Sequence, residues 1–273
     1  MRFIPFIFII LCQFVLVACS STPAKEASEQ ELYEDAKRAI KIRSFQQATI
    51  ALEELESRYP FGKYAEQAQL DLIYARYSGL DLEGAKLAAD RFIRLHPQSP
   101  SVDYAYYVRG IANYYLDGGV ASQYFPMVDV SSRDPGHMRL SFKDFSELLM
   151  RFPDSPYAAD AQQRMIDIRN RLASYEMHAA RYYIKRQAYL AAVNRAAYVV
   201  KSFPATPSVE EALNMMVSIY SKLNLASQRD EALAVLKLNY AGSKSFSEGK
   251  FVAMHKLEPG RSLLSVMSFG LFE

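Results

Sequence analysis

Few residues of this 273-residue chain stand where covalent chemistry would need them. The four histidines, His96, His137, His178 and His255, lie far apart and lack the short ligand spacings of a zinc site. No phosphate loop and no Gly-x-Ser-x-Gly elbow occurs. One cysteine has a chemical context. Cys19 closes the stretch Leu16-Val17-Ala18-Cys19, which ends an apolar run from Phe3 to Val17 behind a basic Arg2. A basic start, an apolar core and small residues before the cut form a secretory signal. The run is short for a spanning helix, which needs about 20 apolar residues. Loss of residues 1–18 also removes Cys12. With Cys19 modified, no thiol is left for a disulfide, although a compartment beyond the inner membrane permits one.

The Cys19 stretch resembles the lipobox of bacterial lipoproteins. The resemblance implies a diacylglycerol thioether on Cys19, cleavage before it, and acylation (palmitate) of the freed amine. Each buried CH₂ adds about 0.8 kcal/mol of membrane affinity, and two lipid signals suffice for stable anchoring. Asp after the lipidated Cys commonly retains a lipoprotein in the inner membrane. Ser20 stands there instead, and the resemblance implies the outer membrane. Residues 19–27 then form a small, polar tether.

The charge pattern narrows the partners. There are 32 basic and 30 acidic residues, and loss of Arg2 leaves 31 basic. This near-neutral balance argues against nucleic acid as a partner. Residues 26–56 carry eight acids and four bases, whereas residues 164–201 carry eight bases and two acids. Such asymmetry gives the two ends different partners. Glu56-Ser57 faintly resembles the catalytic Glu-Ser of lytic transglycosylases. Those enzymes also need a Gly-Leu-Met-Gln-type segment, which this chain lacks, and Glu56 falls within a helical stripe. The chain reads as a non-enzyme without metal or cofactor.

The elements that position these residues have a helical period. Ser28-Glu29-Gln30-Glu31 fits a capping box. Tyr59-Pro60, His96-Pro97, Phe152-Pro153 and Phe203-Pro204 each stop a helix, because Pro lacks an amide hydrogen and clashes with the preceding turn. Ser99-Pro100, Ser155-Pro156 and Thr206-Pro207 restart helices as a hydroxyl cap with Pro at the first helical position. The stops lie 37, 56 and 51 residues apart, and a helix-turn-helix repeat of about 34 residues is the tetratricopeptide period. The second interval holds an insertion over 117–138, where Gly118-Gly119 breaks the helix and Arg133-Asp134-Pro135-Gly136 makes a turn. The third holds an extra helix or two. Ala48, Ala85 and Ala192 sit early in second helices, where small residues let helices approach. The fold class is all-α, a tetratricopeptide-repeat (TPR) helical solenoid of about five hairpins: 29–60, 61–97, 100–153, 157–204 and 207–240. Residues 28–240 form it, with an N-terminal half over 28–153 and a C-terminal half over 157–240. Residues 241–273 form a mobile tail whose end docks on the solenoid or a partner, and the chain shows no strand-like alternation of any length. A solenoid groove binds an extended peptide or another domain, and Tyr64, Tyr74, Tyr77, Tyr104 and Tyr107 are its candidate lining, since Tyr gives contact area at low entropy cost.

Several features together resemble the BamD (ComL-like) family of outer-membrane assembly lipoproteins. They are the lipobox, Tyr59-Pro60-Phe61-Gly62-Lys63-Tyr64-Ala65, Arg133-Asp134-Pro135 in the insertion, and Val193-Asn194-Arg195. The likeness runs to about Tyr240. It implies a lipid-anchored scaffold on the periplasmic face of the outer membrane, within the β-barrel assembly (BAM) complex. C-terminal hairpins would dock a POTRA domain of the BamA insertase. N-terminal hairpins would take extended segments of unfolded barrel proteins or of accessory Bam lipoproteins. The insertase side would use Arg195, Asn194, Lys185 and Arg186, and the insertion would use Arg133 and Asp134. Arg195 lies near the buried edge of its helix, so either a partner's carboxylate or an intramolecular pair with Asp167 or Glu176 fits it. The alternative is a TPR pilotin lipoprotein for secretin and type IV pilus assembly.

Overall fold

Several helices begin or end where the chain supplies a local reason. In the computed structural model, which describes residues 27–124 and 134–257, Ser28 caps the first helix. Its Oγ accepts from the Glu31 amide at 3.3 Å, and Glu31 returns a bond to the Ser28 amide at 2.8 Å. Cys19, the signal of residues 1–18, the tether up to residue 26, Arg133 and the tail from residue 258 lie outside the described residues.

Two compact units divide between Gly79 and Leu80, earlier than the division at 153–157. The first unit holds α1 (Glu29–Lys41), α2 (Phe45–Arg58) and α3 (Ala65–Ser78). The second holds α4 (Leu82–Leu95), α5 (Val102–Tyr124), α6 (Gly136–Arg151), α7 (Ala158–Lys185), α8 (Tyr189–Ser202), α9 (Ser208–Lys222) and α10 (Ala226–Tyr240). Within each unit, consecutive helices pack against one another, and α9 also packs on α7. The ten described helices fall inside the five expected segments, as stacked hairpins of a TPR-like all-α fold.

Two kinds of turn alternate. α2, α4, α6 and α8 end before Pro, at Tyr59, His96, Phe152 and Phe203, whose ψ lies between 49 and 63°. A following Pro excludes the α region there. α1, α7 and α9 end instead on a left-handed residue, Arg43, Gln187 or Asn224. The next amide reaches back five residues in each case: Ser44 to Ala39, Ala188 to Tyr183, and Leu225 to Tyr220. This is the Schellman closure, built here without glycine.

Four expectations need correction. The third interval holds no extra helix; α7 runs unbroken for 28 residues. Gly118-Gly119 does not end α5, which continues to Tyr124. Glycine costs about 1 kcal/mol of helix propensity but keeps its amide, so an established helix propagates through it. Pro100 and Pro156 precede their helices rather than opening them. Each is the second residue of a turn, closed by Val102 N–H to the Ser99 carbonyl and by Ala158 N–H to the Ser155 carbonyl. The Ser99 and Ser155 hydroxyls each accept an amide two residues on, at 3.2 Å. Finally, residues 243–257 do not behave as a free tail. β1 (Phe246–Ser247) and β2 (Lys250–Phe251) pair antiparallel, joined by Glu248-Gly249 with φ of 52 and 73°. Phe246, Phe251 and Leu257 pack onto the core.

Small and charged residues set the helix spacing. Ala48, Ala85 and Ala192, each the fourth residue of its helix, are fully buried. In the second unit Arg109 of α5 bridges Asp90 of α4 at 2.7 Å and Asp144 of α6 at 2.7 Å. Asn113 donates to Asp144 at 2.8 Å, and His137 lies 3.3 Å from the Asn113 carbonyl oxygen. Burial raises the Asp144 pKa against the pull of Arg109.

Candidate functional site

In the first unit, Tyr64 precedes α3, and its amide donates to Glu29 Oε1 at 2.7 Å. A Cβ on Gly62 would collide with that carboxylate, so glycine at 62 lets Glu29 reach the turn. The Tyr64 ring stacks on Tyr33 with centroids 4.6 Å apart. Lys63 and Lys37 cover the two rings at 5.4 and 5.9 Å, within cation–π range. Burial, then Asp71, push the Tyr33 pKa up to about 12, so the phenol stays neutral and donates. Tyr74 is partly exposed and meets Phe45 edge-on. Tyr77 is half-buried. Phe61 stands wholly exposed on the connection between α2 and α3.

In the second unit, a ladder joins α5 and α7. Tyr107 stacks on Tyr157 at 4.5 Å, with Tyr104 at 5.8 Å from the same ring. The Tyr107 hydroxyl donates to Asp160 at 2.8 Å, and Arg164 pairs with the same oxygen. The Arg164 guanidinium lies over the Tyr114 ring at 5.2 Å. Tyr114 donates to Asp167 at 2.6 Å, and Arg171 closes the ladder on Asp167 at 2.8 Å. Burial and the Asp167 bond push the Tyr114 pKa to about 12. Burial works against the Asp160 charge, yet Arg164 and Tyr107 hold its carboxyl below the usual range. Helical spacing puts 160, 164, 167 and 171 on one face. Neutral phenols and internally balanced charges give such a face contact area and hydrogen bonds, the equipment of peptide binding rather than of nucleophilic catalysis. Among the described residues, no group of His, Cys, Asp and Glu could hold a metal ion.

The remaining expected residues divide. Lys185, Arg186 and Asn194 are exposed, and Arg186 donates to Tyr182 at 3.2 Å. Arg195 is paired within the chain and stays partly exposed. Its Nη1 lies 2.7 Å from Glu176 Oε2, and Glu176 is buried. The intramolecular pair is the one formed, with Glu176 and not Asp167, which belongs to the ladder. Asp134 is exposed, 4.0 Å from Arg139. Tyr33, Tyr157, Tyr114 and the ladder charges escaped the sequence reading. The alternation Asp160, Arg164, Asp167, Arg171 was their signal.

Stacked helical hairpins with an aromatic, charge-balanced face on α5 and α7 define a TPR-like binding scaffold. A family model described as YfiO, outer membrane lipoprotein, matches residues 25–236, and the chain belongs to that family. It is 37% identical over 232 residues to the outer membrane protein assembly factor BamD of Vibrio cholerae, covering 84% of this chain and 96% of that protein. It is 40% identical over 216 residues to BamD of Neisseria meningitidis serogroup B, covering 79% and 80%. The figures for BamD of Pasteurella multocida are 35% over 235 residues, covering 86% and 90%. Among the described residues no helix is long and apolar enough to cross a membrane.

Proposed function

We propose that this chain is a non-enzymatic scaffold of the BAM complex, which assembles β-barrel proteins into the outer membrane. The observation that carries the reading is the family match over residues 25–236, with relatives named as outer membrane protein assembly factors along most of their length. A lipid on Cys19 anchors the scaffold at the periplasmic face. The exposed Lys185, Arg186 and Asn194 meet an acidic POTRA surface of BamA, and Arg195, fixed by Glu176, presents its outer edge beside them. Extended segments of unfolded barrel proteins or of accessory Bam lipoproteins lie along the tyrosine faces around Tyr64, Tyr74 and Tyr77, and around Tyr104 and Tyr107. Stacked, hydrogen-bonded rings supply pre-ordered area for a chain without fixed structure. Arg133 and Asp134 of the insertion contribute a further contact. The pilotin alternative gains no support from relatives named as assembly factors.

A pull-down of the tagged chain from detergent-solubilised outer membranes tests the reading. BamA is the expected major partner. Recovery of a secretin without BamA would replace this function with the pilotin one.

A further inference from the structure

The segment after α10 is seated on α9 through its backbone. Asn214 lies fully buried in the middle of α9. Its Nδ2 donates to the Val252 carbonyl at 2.8 Å, and its Oδ1 accepts the Met254 amide at 2.8 Å. One turn earlier, Glu211 lies 2.9 Å from His255 Nε2 and 2.8 Å from Arg181 of α7. Burial opposes the Glu211 charge, but His255 and Arg181 hold its carboxyl below the usual range. Glu210 accepts from the buried Ser245 hydroxyl at 3.1 Å. Phe246, Phe251 and Leu257 add apolar contact.

What α9 reads here is main chain. Val252 and Met254 themselves remain 42% and 38% exposed. One amide that takes a carbonyl and an N–H two residues apart needs a non-helical segment, because a helix spends both groups internally. Asn is also a costly residue to bury for packing alone, since each polar atom must find a partner or lose its hydration without return. A buried amide satisfied wholly by another segment's backbone is the arrangement of a peptide-reading site.

The geometry points to an extended-peptide site on α7 and α9, filled in this structure by the chain's own residues 245–257. Its ligand from another protein is an extended segment with an aromatic residue, as at Phe251, followed four positions later by His or a cation opposite Glu211. The strap is then an internal occupant that such a segment displaces. This site does not rest on the assembly role, and its failure would leave that role untouched.

Full-length protein carrying Phe251→Ser and His255→Glu tests it. The first change removes the apolar anchor, and the second sets a carboxylate against Glu211, while the site itself is unaltered. A fluorescein-labelled synthetic peptide of residues 243–257 should bind this protein at least about tenfold more tightly than wild type, whose tethered strap competes at high effective concentration. Adding Asn214→Leu should return the affinity to the wild-type level. In the peptide, Val252→Thr with Met254→Lys should change affinity by no more than about twofold, whereas N-methylation of the residue 254 amide should weaken it about tenfold or more, leaving Asn214 Oδ1 without its donor. Equal affinity for the wild-type and strap-released proteins overturns the proposal. So does a side-chain change as damaging as N-methylation. If circular dichroism shows lost helix in the double variant, Val252→Pro replaces it, removing the 2.8 Å bond from the Val252 amide to the Ser245 carbonyl, and the same outcomes decide.

Discussion

Glu176 carries a charge on a buried stretch of α7, and a buried carboxylate survives only with a partner. Arg195 supplies it at 2.7 Å, while Arg139 stands off at 3.9 Å. The hydrogen bond to Glu176 raises the Arg195 pKa in turn. Breaking a buried pair is expensive, but Arg195 is 44% exposed, so water offsets part of the loss. Arg195→Leu should therefore lower the unfolding free energy by about 1–2 kcal/mol. Adding Glu176→Gln should recover much of that, because the stranded charge is gone. Thermal melts of the single and double variants decide, and a wild-type melting temperature for Arg195→Leu would deny the pair a structural role. The helical wheel located Arg195 at the buried edge of its helix. Its partner was not legible, since Asp167 and Glu176 are both on the preceding helix and only the crossing of α7 and α8 selects between them.

At the scale of elements, α5 and α6 approach closely over Gly110. A Cβ there would lie 2.6 Å from Phe145 Cε1, and Phe145 is fully buried in α6. Gly110→Ala gains about 1 kcal/mol of helix propensity. Overpacking of about 1–3 kcal/mol should exceed that gain. A lower chemical-denaturation midpoint is expected, and Phe145→Leu in the same chain should relieve it. The α5–α7 ladder predicts a pH effect. The Asp160 pKa is depressed in the fold, so its contribution is complete above the ordinary carboxylate value of about 3.9 and is lost as pH falls through the lower folded value. The melting temperature of Asp160→Asn should lie below wild type at about pH 6, and the gap should narrow toward about pH 3. A constant gap would remove the charge from the explanation. Pro stops were legible because Pro acts on its own neighbours: Tyr59, His96, Phe152 and Phe203 all end helices. The left-handed turns at Arg43, Gln187 and Asn224 were not, because no glycine marks them. The unbroken α7 escaped for a related reason. The absence of Gly and Pro over 158–185 permits a continuous helix without requiring one, and packing against α6, α8 and α9 favours it whole. Residues 243–257 read as a tail because 241–249 is rich in Gly and Ser and Pro259-Gly260 follows, while their anchor, Asn214, lies some 40 residues upstream.

At the scale of the whole molecule, the proposed function combines two attachments of different physics. The basic segment of α7 and α8 keeps Lys185 and Arg186 exposed, and attraction between exposed charges is screened over about 8 Å at physiological salt. Acyl chains gain about 0.8 kcal/mol per buried CH₂ and owe nothing to charge. If Cys19 bears lipid, salt should separate the two. Wild-type protein should stay with outer membranes through a high-salt wash, with or without BamA. Cys19→Ala should leave the helical fold unchanged by circular dichroism, because residue 19 lies ahead of the capped start at Ser28. It should nevertheless stay with membranes only where BamA is present, and wash off as salt rises. Lys185→Glu with Arg186→Glu in the Cys19→Ala chain should release it even at low salt. Flotation of Cys19→Ala protein with BamA-depleted outer membranes in a sucrose gradient would show that the anchor lies elsewhere in the chain.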